Sequence, residues 1–215
     1  MNCYGLIAQY PYDNIECALT NNGIILESAT VSKFQAIEQF VPTLAQLLTN
    51  NHLTLADISY IGVNVGPGPF NTLRAMLATM NGIHFATQIP LVTLNALELL
   101  LEEHSQEDTV AMLHAFGKEV YLGHPYHDDQ RYIYTSIDHA VEIIEKFYEN
   151  HAVQLVGNAA IKYQEIFKSH PYFSCIPTPF NNLQTLATQA HSKYQNNQTT
   201  THAKPLYLAS PVIKN

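Results

Sequence analysis

Residues able to do chemistry fall in three places along this chain of 215 residues. The first is Val65–Met76, VGPGPFNTLRAM, between an apolar run and a helical pattern. A glycine-rich turn in that position is where backbone N–H groups cradle a phosphate. The composition works against it, because Pro67 and Pro69 have no N–H. Only Gly66, Gly68 and Phe70 can donate there. The third glycine of a dinucleotide fingerprint is replaced by Asn71, and no Gly-Lys-Ser/Thr follows. The stretch reads as a stiff structural corner of Gly66, Pro67, Gly68 and Pro69, with Pro69 or Asn71 opening the helix. Arg74 is the nearby cation, suited to an anion or to a structural carboxylate.

The second place is His124–Asp129, HPYHDD, with two imidazoles and two carboxylates. These are metal donors by type, but no further ligands are signalled, and an exposed turn between strands is the reading taken. His104, His114, His151 and His170 stand alone. The third place is the cysteines. Cys3, Cys17 and Cys175 are odd in number and form no CxxC pair, so neither a disulfide framework nor a thiolate zinc site is expected. Cys3 and Cys17 lie in strand-like runs and read as small core residues. No GxSxG elbow is present. The residues therefore point to no catalytic group, no cofactor and no metal.

The elements that must position these residues can be read from periodicity. CYGLIAQY and ECALTNNGIILESAT read as three antiparallel strands, with Asn21-Asn22-Gly23 as a hairpin turn. Lys33–Asn50 reads as a helix on Phe34, Ile37, Val41, Leu44 and Leu48, capped by Ser32 and kinked at Pro42. A strand ISYIGVNV leads to the corner. A helix over Asn71–Gln88 follows, carrying Leu73, Met76, Leu77, Met80 and Ile83, with a second stripe of Ala75, Thr79, Gly82 and Ala86. IPLVTL reads as a strand and Asn95–Glu103 as a helix.

A second series then begins. TVAMLHA, EVYLGHPY and RYIYTSI read as strands, rich in Val and Tyr. A helix over Asp138–Glu149, a strand AVQLVG and a helix over Asn158–Phe167 follow. HPYFSCIPTPF reads as irregular, Asn182–Tyr194 as a helix, QNNQTTTHAK as a loop and PLYLASP as a short closing strand or turn. Each series opens with three strands before a helix, which suggests structural duplication without a visible sequence repeat. The division expected is a first lobe over 1–105 joined by 182–215, and a second over 106–181.

Composition bounds the partners. The chain is 47% hydrophobic but only 13% charged, about half the usual charged fraction of roughly 25%. Its net charge of −8 and scattered basic residues argue against direct strong binding of nucleic acid. The opening MNCYGLIAQY shows no basic-then-apolar leader. No apolar run approaches a membrane span. A cytoplasmic protein is expected.

The segment GVNVGPGPFNTLRAMLATMNGIHFATQIPLVTLNALELL resembles the strand–GPGSFTGLR–helix segment of the bacterial TsaB (YeaZ) family. The likeness rests on Gly66-Pro67-Gly68, Phe70, Leu73-Arg74, Ala78-Thr79, Gly82, Ile89-Pro90-Leu91-Val92 and Leu97-Glu98. HAFGKEVYLG is similar to that family's DARRGEVY through Gly117, Glu119, Val120 and Tyr121, and KPLYLASP to its PxYLR ending through Pro205, Tyr207 and Leu208. The resemblance is dense over about residues 58–100 and thin elsewhere.

It implies an α/β fold of two ribonuclease-H-like lobes, the actin/sugar-kinase/Hsp70 (ASKHA) type. It implies a non-catalytic subunit that supports threonylcarbamoyladenosine synthesis in tRNA. The implied partners are a TsaD-like transferase and a TsaE-like ATPase, with self-association through the same helical surface. The implied partner face takes Phe34, Ile37, Val41 and Leu44 from one helix and Met76, Met80 and His84 from the next. Where the family opens with Asp-Thr-Ser/Thr, this chain has Gln9-Tyr10-Pro11, with Asp13 displaced by an insertion. The paired histidines of the transferase's first long helix are absent from KFQAIEQFVPTL. The other readings of the same residues are an ATP-dependent transferase or metallopeptidase of that superfamily, and a drifted paralogue with another protein partner.

Overall fold

A computed structural model describes residues 2–105, 108–124, 131–149 and 151–208. Two compact units divide the chain: Met1–Asn95 with Asn182–Pro205, and Ala96–Asn181 with Leu206–Asn215.

The first unit is built on β1 (Tyr4–Gln9), β2 (Asn14–Asn21), β3 (Ile24–Ser32), β4 (Ile58–Asn64) and β5 (Leu91–Leu94), in the order β3-β2-β1-β4-β5. The first three strands are antiparallel; β4 and β5 add in parallel. The β2–β3 turn places Asn22 at φ +51° and Gly23 at φ +77°, the left-handed pair that a tight hairpin needs. Helices α1 (Ala36–Asn50) and α2 (Phe70–Thr87) cover one face. They bury Phe40, Leu44, Leu47, Leu73, Met76 and Met80 against Leu6, Ala8, Ile61 and Val63.

Ser32 is the last residue of β3 rather than a helix cap. Its hydroxyl and carbonyl accept from the N–H groups of Phe34 and Gln35, which makes a turn and delays α1 to Ala36. Pro42 lies inside α1, on the exposed side.

The second unit contains α3 (Ala96–Glu103), β6 (Thr109–His114), β7 (Glu119–Gly123), β8 (Tyr132–Ser136), α4 (Ile137–Tyr148), β9 (Val153–Val156), α5 (Asn158–Lys162), α6 (Gln164–Phe167) and β10 (Phe173–Cys175). Its sheet runs β10-β9-β6-β7-β8. Read from the other edge this is third-second-first-fourth-fifth, the same strand order as the first sheet. The duplication is therefore complete, and β10 completes it. That strand falls in the stretch read from sequence as irregular, because three residues flanked by prolines leave no alternation to detect. The expected single helix over Asn158–Phe167 is two short ones broken at Tyr163.

The final helix, α7 (Leu183–Gln195), returns to the first sheet and packs on the face away from α1 and α2. Asn182 caps it, accepting the Gln184 N–H at 2.8 Å. The close approach requires Gly62, where an added Cβ would stand 2.7 Å from the Ala190 Cβ. The polar stretch after α7 is held rather than loose. Thr200 bridges Leu91, and Asn81 clasps the Ala203 backbone through both its amide atoms at 2.8 and 2.9 Å. Among the described residues no helix is long and apolar enough to cross a membrane.

Candidate functional site

At the corner between β4 and α2, Gly66, Pro67 and Gly68 are buried, while Pro69 and Arg74 are exposed. The Gly66 N–H, one of the three possible anion donors, donates to the buried Asn64 Oδ1 at 2.9 Å. Gly66 has φ +94°, and an added Cβ would stand 3.0 Å from Leu73 Cδ2. α2 starts behind Pro69 without a side-chain cap. Arg74 lies with its guanidinium 5.3 Å from the Phe70 ring centroid.

The opening strand completes the corner. Gln9 is 1% exposed and donates its amide to Glu16 Oε2 at 2.7 Å. Tyr12, part of the insertion, adopts φ +68° and brings its ring within 3.9 Å of where a Gly68 Cβ would stand. Asp13 pairs with Lys33 at 2.7 Å, and this hydrogen bond raises the lysine above its ordinary value. Folds of this type imply a nucleotide; these residues do not fit one. Two positions of the loop are prolines without an N–H, the Gly66 donor is engaged by Asn64, a tyrosine packs on Gly68, and an amide stands where a carboxylate would hold the metal.

The remaining sequence candidates are placed separately. His124 is buried, its N–H donates to Arg131 O at 3.2 Å and its ring packs 5.0 Å from Phe147. His127, Asp128 and Asp129 lie outside the described residues. Among the described residues, no three His, Cys, Asp or Glu side chains gather as metal ligands. Cys17 is fully buried, and burial pushes its thiol up to about 12.

The helical face needs correction. Phe34, Ile37 and Val41 are 89%, 88% and 54% exposed. Leu44, Met76 and Met80 are core residues and offer nothing to a partner. The error has a physical source: both helices are apolar on two sides, so one inward stripe (Ala36, Phe40, Leu44, Leu47) interleaves with one outward stripe in α1. His84 is half-buried and its Nδ1 lies 2.7 Å from Ile89 O, a link that steadies the end of α2. Phe85, missed from sequence, is 81% exposed. It follows Ala78 and Gly82 at helical steps, which was the available clue. The outward-facing apolar and small residues are therefore Phe34 in the turn before α1, Ile37 and Val41 on α1, and Ala78, Gly82 and Phe85 on α2; the two helices pack together.

Two five-stranded mixed sheets of identical strand order, flanked by helices, define an α/β protein of two ribonuclease-H-like lobes, the ASKHA type. The model of the family described as TsaD, tRNA N6-adenosine threonylcarbamoyltransferase, matches residues 23–209. The chain belongs to that family, and its named relatives assign it to the TsaB (YeaZ) members. One relative is the tRNA threonylcarbamoyladenosine biosynthesis protein TsaB of Buchnera aphidicola subsp. Acyrthosiphon pisum, 21% identical over 113 residues, 51% of each chain. This chain thus spans about half the length of that relative and of several others it matches. TsaB of Buchnera aphidicola subsp. Baizongia pistaciae is 24% identical over 78% of this chain and 80% of its own. Among solved structures, YeaZ from Pseudomonas aeruginosa superposes with TM-score 0.73 at 20% identity, over 96% of this chain and all of that one.

Proposed function

We propose that this protein is a non-catalytic, cytoplasmic subunit supporting threonylcarbamoyladenosine synthesis in tRNA. It acts by holding a TsaD-like transferase through the outward face of α1 and α2, with a TsaE-like ATPase joining them. The observation that carries this reading is the near-complete exposure of Phe34 and Ile37 at the start of α1, together with Gly82 further along α2, where an added Cβ meets nothing within 4 Å. An exposed glycine within a helix costs about 1 kcal/mol relative to alanine. The chain's own packing does not ask for it. A partner helix approaching closely does. The same face suits a second copy of this chain, which then competes with the transferase. The closed corner at Gly66–Pro69 and the Gln9–Glu16 bond support a role without ATP chemistry. The net charge of −8 supports leaving the tRNA to another subunit.

The test is size-exclusion chromatography of this protein with the TsaD-like transferase of the same cell, alongside the tRNA modification assay. Co-elution and dependence of modification on this protein are expected. Separate elution with undiminished modification overturns the reading. Saturable micromolar binding of ATP with magnesium by this protein alone would argue for the enzyme reading instead.

A further inference from the structure

A cleft of about 760 Å³ lies at the end of the first sheet opposite the Gly66 corner. It is lined by Cys3 before β1, Ser59 at the start of β4, Pro90 before β5 and Tyr194 near the end of α7. All its lining residues belong to the first unit. The walls are tied to one another. Cys3 N donates to Asn21 Oδ1 at 3.1 Å and Asn22 N to Cys3 O at 2.9 Å, which fastens the chain start to the β2–β3 turn. The Thr200–Leu91 bridge holds the stretch after α7 beside Pro90. Asn197 N donates to Tyr194 O at 3.0 Å. The cleft is pre-formed, as small-molecule sites usually are.

Its chemistry is polar and uncharged. Among the described residues no Lys, Arg, Asp or Glu lines it. Four carboxamides do, those of Asn2, Asn22, Gln195 and Asn197, with the hydroxyls of Ser59 and Thr199. A carboxamide carries donor and acceptor side by side, the pairing that reads the edge of a nucleobase. Tyr194 adds a ring. It stacks on Tyr60 with centroids 4.9 Å apart and planes 22° apart. Tyr60 is fully buried, and its hydroxyl lies 3.3 Å from Thr20 Oγ1. An anchored core tyrosine thus fixes the half-buried tyrosine at the cleft. Such a fixed ring is a platform for a further planar ring.

We propose that this cleft binds an uncharged nucleoside, its base against Tyr194 and its base edge and ribose hydroxyls bonded by the carboxamides, Ser59 and Thr199. With no cation in the described lining, the nucleoside is preferred to its monophosphate. The α7 wall stands on the face of the sheet away from α1 and α2. The proposal is therefore independent of the partner reading above.

Calorimetric titration with adenosine, guanosine, cytidine and uridine tests it, together with iodoacetamide labelling read by mass spectrometry. Cys3 lines the cleft, whereas Cys175 is equally part-exposed in the second unit. At least one nucleoside should bind with Kd of about 1 mM or tighter. It should slow the labelling of Cys3 and leave that of Cys175 unchanged. Tyr194→Ala should weaken binding about tenfold or more. Should that variant fail to fold, Asn22→Gly with Asn197→Gly decides. Those positions have φ +51° and +58°, which glycine accepts without strain, and losing both carboxamides should also weaken binding about tenfold. Absence of saturable binding by all four nucleosides overturns the proposal. So does affinity unchanged in the double variant, tighter binding of the monophosphate, or Cys3 labelling that the bound nucleoside leaves as fast as before.

Discussion

The Gln9 side-chain amide donates to the Glu16 carboxylate at 2.7 Å across the β1–β2 ladder. A neutral donor is what this position requires, because Gln9 is 1% exposed and its neighbour is an acid. Replacing it with the acid common in the family would remove the bond and set two carboxylates together. Gln9→Asp should therefore destabilise the protein by about 1–3 kcal/mol, and more than the apolar Gln9→Met. Urea denaturation measures both. A Gln9→Asp variant as stable as the parent would show that the Gln9–Glu16 bond does not set the residue type here.

Buried acids make the first unit sensitive to alkali. Burial raises Tyr60 to about 12 from 10.0, and Cys17 to about 12 from 9.0. Both groups are neutral in the fold and ionise more readily in the unfolded chain. Their contribution is complete below about pH 9 and is lost as pH rises towards 12. At about 1.4 kcal/mol per unit, the shift accounts for up to roughly 3 kcal/mol at Tyr60 and roughly 4 kcal/mol at Cys17. Denaturant midpoints should fall between pH 9 and 12 in the parent, and less steeply above pH 10 in Tyr60→Phe. Equal slopes for the two proteins would refute the assignment to Tyr60.

The corner at Gly66 makes a similarly specific demand. Its φ of +94° is strained for any side chain, and a Cβ would crowd Leu73. Gly66→Ala should cost about 1–3 kcal/mol. Asn64→Ala, which removes the acceptor for the Gly66 N–H, should cost about 1–2 kcal/mol. Thermal or urea unfolding checks the pair. If either variant matches the parent, the corner is not the rigid element that starts α2.

Much of this was legible before any coordinates. Asn22-Gly23 marked its hairpin because only such residues accept that turn. Leu73, Met76, Leu77 and Met80 announced the buried stripe of α2 at three- and four-residue steps. Alternating prolines in VGPGPF showed from sequence which donors the loop lacks, and the structure adds that the Gly66 N–H is engaged by Asn64. What sequence could not supply was direction. α1 has apolar residues on both sides, and periodicity alone does not say that Leu44 points in while Val41 points out. Nor could it place Tyr12 against Gly68, or pair Asn64 with Gly66, since each depends on where two separate segments meet. β10 was hidden by brevity: strand order, not composition, gives it meaning.

The outward face of α1 and α2 separates stability from association in a way few surfaces allow. Phe34 and Ile37 are almost fully exposed, so Phe34→Ser with Ile37→Gln removes little packing and should change stability by less than about 0.5 kcal/mol. If a partner helix covers them, the same change should weaken association by tenfold or more, since buried aromatic anchors dominate such interfaces. Gly82 gives the opposite sign. Gly82→Ala fills open space within a helix and should stabilise the isolated protein by about 0.5–1 kcal/mol. Gly82→Met should leave folding intact yet hold a partner helix away. Sedimentation or chromatography reads self-association, and co-elution reads the transferase complex. A Gly82→Met protein that still associates as the parent does would place the contact elsewhere on the molecule.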